Sequence, residues 1–578
     1  MDQNIYSIKI GGEAGQGIKL TGQLLSKILI RSGLSVFTYS EYPSLIRGGH
    51  NVMQLIFSST PVSAPIKSVH FLIALDSKTI ELHSSELADG AVIIYDSDRK
   101  INTESLGKYK LLPVPFNRFA KAAGGTDVVA NTVASAALLA VLGFELTPYL
   151  DLINESFAAK SQELVTTNQS AARSGYDFVK ANYPQFIQAT VIPASVSVPR
   201  ILINGNEAIA LAAIAAGLQF ASIYPMTPIT GILENLAKYQ KQFGYIYKQP
   251  EDEISAINMA IGASYAGARA LTATSGGGFC LMTEGYGLAG MTETPLVIIE
   301  GMRGGPATGL PTWNEQSDLR FVLHAHQGEF PRIVLAASDA ADAFTLTLDA
   351  FNLSQRYQTP VLVLVDKNIC ECDQSIMPFS TDNYKIDNGL LQSKIDPVYQ
   401  RYLPTTDGIS PRAFPGSGNF FVTNSDEHDS FGFSDESQSN RNLQEAKRLN
   451  KLAVCALKDM APPKLYGPEN ASLTIVSWGS TKGSVLQALS QLKDVNYLHF
   501  TWMNPFPATA AAAVLSKSKI ILDVENNSTA QLAGLIREHT GIEIKEKLLK
   551  NDGRPTYPEE IISKVTNLQQ QLCPQSTI

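Results

Sequence analysis

The chain has 578 residues, 44% of them hydrophobic and 17% charged, with a formal net charge of −8. That length holds roughly three or four domains, each able to bury its own core. The mild acidity and the lack of a Lys/Arg-rich run argue against nucleic acid as a partner. No apolar run reaches the length of about 18 residues that marks a membrane span. The opening residues, MDQNIYSIKIGG, enter strand-like sequence at once and lack the charged and apolar regions of a signal peptide. Five cysteines in such a length do not make a disulfide framework, so a reducing cytoplasm is the expected compartment.

Taken in chain order, the periodicity predicts three α/β regions. The first covers 1–185. It opens with a strand from Ile5 to Ile10, a glycine loop, an amphipathic helix over Ile18–Arg31 and a second strand over Ser35–Tyr39, and HFLIAL and AVIIYD read as further strands. Strands alternating with helices argue for a mainly parallel sheet. The stretch 186–200, rich in Val, Ser and Pro, reads as a linker. The second region, 201–373, carries the strand candidates ALTAT, PLVIIE and PVLVLVD between alanine-rich helices. Residues 374–465 are loop-like, with one helical patch at NLQEAKRLNKLAV. The third region, 466–565, reads LTIVSW, SVLQALSQL, KIILDVE and AQLAGLIREH as strand, helix, strand and helix, and 566–578 as a polar tail.

The residues themselves leave several chemistries open. Gly11-Gly12-Glu13-Ala14-Gly15-Gln16-Gly17 lies between a strand and a helix, where backbone N–H groups can meet a phosphate. A tight turn that only glycine fits explains it equally well. With Glu41 as a ribose-binding acid, the loop would suit a nicotinamide-dependent dehydrogenase. In Tyr224-Pro225-Met226-Thr227-Pro228 two prolines fix the backbone around one threonine and so present its hydroxyl rigidly, or merely stiffen a loop. Glu251-Asp252-Glu253 opens a helix, where carboxylates suit the macrodipole in any case. The small residues of ISAINMAIGASYAGARA that follow permit close approach of another element. In Glu300-Gly301-Met302-Arg303-Gly304-Gly305-Pro306-Ala307-Thr308-Gly309-Leu310-Pro311-Thr312 a glycine-flanked arginine can grip a carboxylate bidentately or staple its loop to a neighbouring carbonyl. Cys370 and Cys372 read as reduced thiols at a strand end, and Cys280, Cys455 and Cys573 are isolated, so no iron–sulfur ligand set is expected here. His428 has no second metal ligand at a fitting spacing and reads as structural or as lining a subunit contact; His324 and His326 read as strand surface.

Together these motifs resemble the 2-oxoacid:ferredoxin oxidoreductases, specifically an alpha subunit carrying an N-terminally fused gamma domain. The glycine loop, Glu41-Tyr42-Pro43, Arg47-Gly48-Gly49 and Asn131-Thr132 are similar to the Rossmann-like gamma domain, with His50 standing where the family has a small residue or proline. Gly205-Asn206-Glu207-Ala208, the Thr227 turn, the Glu253 helix with Gly262, Thr274-Ser275-Gly276-Gly277-Gly278-Phe279 and the Arg303 loop resemble the pyrimidine domain of thiamine enzymes. Asp407-Gly408-Ile409-Ser410-Pro411-Arg412, Pro415-Gly416 and Glu427-His428-Asp429 recur in the family as a long loop. Trp478-Gly479-Ser480-Thr481, Pro505-Phe506-Pro507, Val524-Glu525-Asn526-Asn527, Gln531-Leu532 and Asp552-Gly553-Arg554-Pro555 resemble a transketolase C-terminal-like domain with a scaffold role.

The resemblance implies thiamine diphosphate and coenzyme A as cofactor and cosubstrate, with Gly12, Gly15 and Gly17 in a domain that closes over coenzyme A. Glu253, with Glu251 in reserve, would hold the aminopyrimidine; Thr227, Arg303 and Thr312 would line the 2-oxoacid pocket. No metal is expected on this chain. The sequence shows no G-D-G with a following asparagine and no C-x-x-C…C set. The family places Mg²⁺ with the diphosphate and a [4Fe-4S] cluster on a beta subunit, which passes electrons to ferredoxin, in a heterodimer or a dimer of heterodimers. The implied reaction takes a 2-oxoacid, 2-oxoglutarate in preference to pyruvate or a broad range, to acyl-CoA and CO₂. A nicotinamide-dependent dehydrogenase and a non-catalytic scaffold subunit stand as more distant alternatives.

Overall fold

In the computed structural model the described residues are 5–45, 48–102, 106–187 and 199–572. They divide into two compact units. One comprises the chain up to Ile203 with Cys372–Pro378 and Tyr557–Glu559; the other comprises Asn204–Glu371, Phe379–Thr556 and the chain from Glu560. The expected linker falls largely on residues outside this description, as do Arg47 and Cys573.

The first unit is built on an eight-stranded sheet. Its order is Lys110–Val114, Leu87–Asp96, Val69–Ala74, Tyr6–Glu13, His50–Ser58, Ser35–Glu41, Gln374–Ile376 and Ile201–Ile203. The first four strands run parallel. The remaining pairings are antiparallel, so the expected mainly parallel sheet holds for only half of it. The cause is local: 42–49 is too short to carry a crossover helix, so the strands it joins must pair antiparallel. His50 opens the strand that makes this turn back. One face of the sheet is covered by Ile18–Arg31 and by Ala130–Val141, whose residues are buried throughout.

The second unit contains two sheets. The seven-stranded one runs Trp502–Asn504, Ile333–Ala336, Pro360–Asp366, Leu296–Met302, Ala270–Thr274, Phe220–Ser222 and Ile246–Lys248. All are parallel except the first, so their carboxyl ends share an edge. Such strands are covered on both faces and read as unbroken apolar runs, as LVIIEGM and PVLVLVD do. The five-stranded sheet runs Lys464–Tyr466, Val495–Phe500, Leu473–Trp478, Ile520–Glu525 and Glu546–Leu549. Phe279, Met282 and Leu362 from the larger sheet's layers pack in one core with Trp478, Phe500, Leu532 and Ile536 from the smaller. The stretches 201–373 and 466–565, separate in the sequence reading, thus share an apolar interior.

Several local expectations change. Pro558–Leu572 is a helix reaching into the stretch read as a polar tail, because Ile561, Val565 and Leu568 fall on one face and are buried. His324 ends the short helix Leu319–His324, whose Leu319 and Val322 point inward, and is not on a strand surface; His326 follows with a positive φ of 80°. Cys370 lies in the short helix Lys367–Glu371 and not at a strand end. Among the described residues no helix is long and apolar enough to cross a membrane, and no group of His, Cys, Asp and Glu could hold a metal ion. His428 is fully buried, packs against the Tyr402 ring at 4.1 Å and bonds the Asp426 carbonyl through Nδ1 at 2.8 Å.

The loop-like stretch after Phe379 is fastened by buried charge. Glu293, fully buried, faces Lys447 Nζ at 2.7 Å and Lys451 Nζ at 2.5 Å, both on the helix Gln438–Lys458. Burial alone would raise the Glu293 pKa; the two ammonium groups and Arg401 bring it down below the usual carboxylate range. Truncating one member of such a group strands the others without compensation. Glu293→Ala is therefore expected to lower unfolding stability by about 3–5 kcal/mol, read as a shift in denaturant midpoint at unchanged m-value.

Candidate active site at the carboxyl edge of the parallel sheet

Ligands of open parallel sheets gather at the carboxyl ends of the strands. At this edge three neighbouring strands, Phe220–Ser222, Ala270–Thr274 and Leu296–Met302, release the Thr227 turn, the triple glycine and the Arg303 loop.

Glu253 enters from a helix that starts beside them. Asp252 caps the helix Glu253–Tyr265, its Oδ1 accepting from the Ser255 N–H at 2.8 Å. The buried stripe then runs Glu253, Ala256, Ile257, Ala260, Ile261 and Ser264, so Glu253 leads the inward face. Glu251 stands before the cap and is exposed, which separates the two acids that spacing could not. The Glu253 side chain presses on Gly278. A Cβ there would sit 2.7 Å from Glu253 Cγ and 2.8 Å from Oε1, and 2.1 Å from Thr274 Oγ1. Glycine at 278 is thus a requirement of close approach. Glu253 is only 4% exposed, and its Oε1 has no hydrogen-bond partner among the described residues. Gly262, on the same helix, has open space where a Cβ would be and faces outward.

Arg303 follows directly on its strand and is half-buried. Its Nη1 donates to the Thr227 carbonyl at 2.9 Å, so the staple exists and brings two of the expected pocket residues together. Burial lowers the Arg303 pKa, and the Asp318 carboxylate works against that. The loop beyond is pinched at its base: Leu310 N–H donates to the Gly304 carbonyl at 2.8 Å, and Trp313 N–H to Leu310 at 3.0 Å. Thr312 is buried at this base, while 305–310 is exposed.

Two acids that received no role from the sequence complete the edge. Glu300 pairs in register with Thr274, has no exposed surface, and is reached by no N–H or O–H donor of the described residues. Its carboxyl meets Asp318, and burial first, then this neighbour, pushes the Glu300 pKa well above the usual carboxylate range. The Asp318 pKa is also raised by burial, against the pull of Glu300 and Arg303. The two carboxyl groups thus lie together beside Arg303. The sequence signal was present: an acid inside the apolar run LVIIEGM, where a strand buried on both faces should carry none unpaired.

The segment after Thr312 is stitched to motifs assigned a scaffold role. Gln316 donates from Nε2 to the Trp478 carbonyl at 2.8 Å, and its backbone N–H reaches the Asn526 carbonyl at 2.7 Å. Asn527 Nδ2 donates to the Gln316 carbonyl at 3.0 Å, and the Arg554 guanidinium stacks on Trp313 at 3.9 Å. A Cβ at Gly479 would lie 2.2 Å from Gln316 Nε2. The W-G-S-T, V-E-N-N and D-G-R-P motifs therefore hold the arginine loop from behind.

In the first unit the glycine loop is largely occupied by its own contacts. Gly17, at φ 75°, begins the helix and lies against Asn131, whose Nδ2 donates to the Gln16 carbonyl at 2.9 Å. A Cβ at Gly12 would strike Gln16 Oε1 at 2.2 Å. Gly15, at φ 95°, is exposed with open space around it. The loop and Asn131-Thr132, distant in sequence, are thus brought together.

A family model described as pyruvate flavodoxin/ferredoxin oxidoreductase, thiamine diphosphate-binding, matches residues 211–447, and one described as pyruvate ferredoxin/flavodoxin oxidoreductase matches residues 7–178. The 2-oxoacid:ferredoxin oxidoreductase subunit alpha of a Sulfolobus species is 33% identical over 96% of this chain and 95% of its own. A 2-oxoglutarate synthase subunit KorA from Methanothermobacter thermautotrophicus is 33% identical, covering 63% of this chain and 98% of its own. The structure of a 2-oxoglutarate:ferredoxin oxidoreductase from Magnetococcus marinus, with 2-oxoglutarate, coenzyme A and succinyl-CoA bound, superposes with a TM-score of 0.91 at 31% identity, over 98% of this chain and 100% of that one. The chain belongs to the 2-oxoacid:ferredoxin oxidoreductases, as an alpha subunit of that family of enzymes.

Proposed function

We propose that the chain is the fused gamma–alpha subunit of a thiamine-diphosphate enzyme that oxidatively decarboxylates a 2-oxoacid, 2-oxoglutarate in the first place, with coenzyme A and ferredoxin. The observation that carries this is Glu253, a buried carboxyl with an unpartnered Oε1 wedged against Gly278 on the edge that also presents Arg303. An unpartnered buried oxygen needs a donor, and the protonated ring nitrogen of an aminopyrimidine is one. The residues present fit that end of thiamine diphosphate. In this reading the diphosphate, Mg²⁺ and a [4Fe-4S] cluster belong to a beta subunit, in a heterodimer or a dimer of heterodimers.

Thiamine diphosphate, when bound, supplies a carbon nucleophile and an electron sink for loss of CO₂. Glu253 presents Oε1 to the pyrimidine nitrogen as the acceptor of its N–H. Its fixed wall at Gly278 keeps that oxygen in place without reorganisation. Arg303 takes the C1 carboxylate of the 2-oxoacid, its guanidinium oriented by the Thr227 carbonyl, and Thr227 and Thr312 line the same pocket. Burial and their mutual approach push the Glu300 pKa up, and burial pushes the Asp318 pKa up, which weakens the negative charge behind Arg303 and leaves it attraction for substrate. Gly12, Gly15 and Gly17 belong to the domain that closes over coenzyme A. The choice of 2-oxoglutarate is supported by the Magnetococcus enzyme and the KorA relative. Pyruvate or broad specificity is the second reading, favoured by relatives named only for 2-oxoacids.

Glu253→Gln in the assembled enzyme should nearly abolish turnover while leaving the melting temperature unchanged, and should slow hydrogen–deuterium exchange at C2 of bound cofactor; Glu251→Gln should do neither. Wild-type exchange in Glu253→Gln would remove the assignment. A charge-assisted bond contributes roughly 1.5–3 kcal/mol. Arg303→Ala should therefore lower kcat/KM about 10- to 100-fold, with partial recovery in Arg303→Lys because the paired geometry is lost. Measured side by side, kcat/KM for 2-oxoglutarate should exceed that for pyruvate and 2-oxobutyrate; a preference for pyruvate would overturn the substrate and leave the class. The chain purified by itself should bind thiamine diphosphate weakly and reduce no dye with any 2-oxoacid, and full turnover by it would defeat the shared-site reading.

A further inference from the structure

The motif Gly205-Asn206-Glu207-Ala208 opens the helix Gly205–Ala215. Asn204 caps that helix, its Oδ1 accepting from the Glu207 N–H at 3.0 Å. A Cβ at Gly205 would lie 2.5 Å from the Ile369 carbonyl oxygen, just past the carboxyl end of the strand Pro360–Asp366. This close contact places the helix start at the edge where the Thr227 turn and the Arg303 loop also emerge.

Asn206 is 5% exposed, and its Nδ2 donates to the Pro228 carbonyl at 2.8 Å. Arg303 Nη1 donates to the carbonyl of the preceding residue, Thr227, at 2.9 Å. Two side chains from different elements thus hold consecutive carbonyls of one turn. The turn is closely packed besides. A Cβ at Gly301, two residues before Arg303, would meet Ile229 Cγ2 at 2.5 Å and Pro228 Cγ at 3.2 Å. A Cβ at Gly231 would meet Asn206 Nδ2 at 2.8 Å. Ile229 is fully buried, and its N–H donates to the Met226 carbonyl at 2.9 Å.

We infer that Asn206 is a positioning residue for the carboxylate of the 2-oxoacid: by fixing the Pro228 carbonyl it sets the Thr227 carbonyl, and through that the Arg303 guanidinium. The inference rests on the reading of Arg303 as the group that takes this carboxylate. The peptide planes bearing the two carbonyls meet at the Pro228 Cα. The proline ring fixes φ there, so ψ alone relates the planes. A bond that holds one carbonyl therefore holds the other to within a single torsion. Asn206 spends one end of its amide on the turn, while the other end, Oδ1, is buried without a partner among the described residues. A side chain serving stability alone would lose by that arrangement.

The test is a double-mutant cycle on the assembled enzyme. Asn206→Ala should lower kcat/KM for the 2-oxoacid about 3- to 10-fold, as a rise in KM at nearly constant kcat, with the melting temperature within about 2 °C of wild type. In the Arg303→Ala background the same substitution should change kcat/KM by less than about 2-fold, because the group it steers is gone. An unchanged KM in Asn206→Ala, a fall confined to kcat, or full additivity with Arg303→Ala overturns the inference. Should Asn206→Ala fail to fold, Gly231→Ala decides, since its methyl crowds Nδ2 off the carbonyl and leaves Asn206 in place; a raised KM supports the inference and an unchanged one overturns it. Arg303→Ala by itself separates the two readings. If it leaves kcat/KM unchanged, the role of Arg303 falls and that of Asn206 with it. If it lowers kcat/KM and Asn206→Ala adds its full effect on top, the role of Asn206 falls alone.

Discussion

Much of the site follows from the contact between the Glu253 side chain and the backbone of Gly278. It joins a helix start to a strand end at a separation that no Cβ tolerates. It also fixes one oxygen of a buried acid where no donor of the described residues reaches it. Both halves are needed. A carboxyl free to swing would find water or a backbone N–H, and one satisfied inside the protein would have nothing to offer a ligand. The Asp252 cap secures the helix end, and the buried stripe below it fixes the rotation that points Glu253 inward.

The arginine loop is held differently. Its tip is exposed and its base closes on itself through Gly304, Leu310 and Trp313. Order is imposed from behind, where Gln316 bonds Trp478 and Asn526, and Arg554 stacks on Trp313. The smaller sheet thus contributes to the site without presenting a reacting group. That division explains how motifs as particular as W-G-S-T and D-G-R-P can lie far along the chain from Arg303 and still belong to its function.

Elements whose pattern is local were legible in the sequence. The helix Ile18–Arg31 and the strands at ALTAT, LVIIE and PVLVLVD carry their period or apolar run within themselves. Thr227 and Arg303 were legible because prolines and glycines announce special backbone. What depended on tertiary pairing was not. The antiparallel half of the first sheet turns on which strand neighbours which, and the helix Pro558–Leu572 on a core that its polar composition conceals. Glu251 and Glu253 could not be ranked by spacing, since the cap at Asp252 decides which acid turns inward. Asp318 looks ordinary in sequence and matters only because it meets Glu300.

Three fully or nearly buried glutamates in one unit show why residue type alone does not give a role. Glu293 lies between two ammonium groups, so the charged form is strongly favoured and the acid acts as a rivet for the long loop. Glu300 faces another carboxyl, so a proton is the least costly partner, and the neutral form can sit inside an apolar strand. Glu253 Oε1 meets no hydrogen-bond donor among the described residues and is left for whatever binds beside it. A group whose charge state is settled internally is suited to structure. A group whose oxygen is left unpartnered at the edge of a parallel sheet is suited to bonding a ligand. The same reasoning separates Arg303 from Arg332: the latter spends its Nη1 on the Leu323 and Ala325 carbonyls and stacks on Phe330 deep in the core. The former makes one staple at the mouth of the site, with an exposed, glycine-rich loop before it.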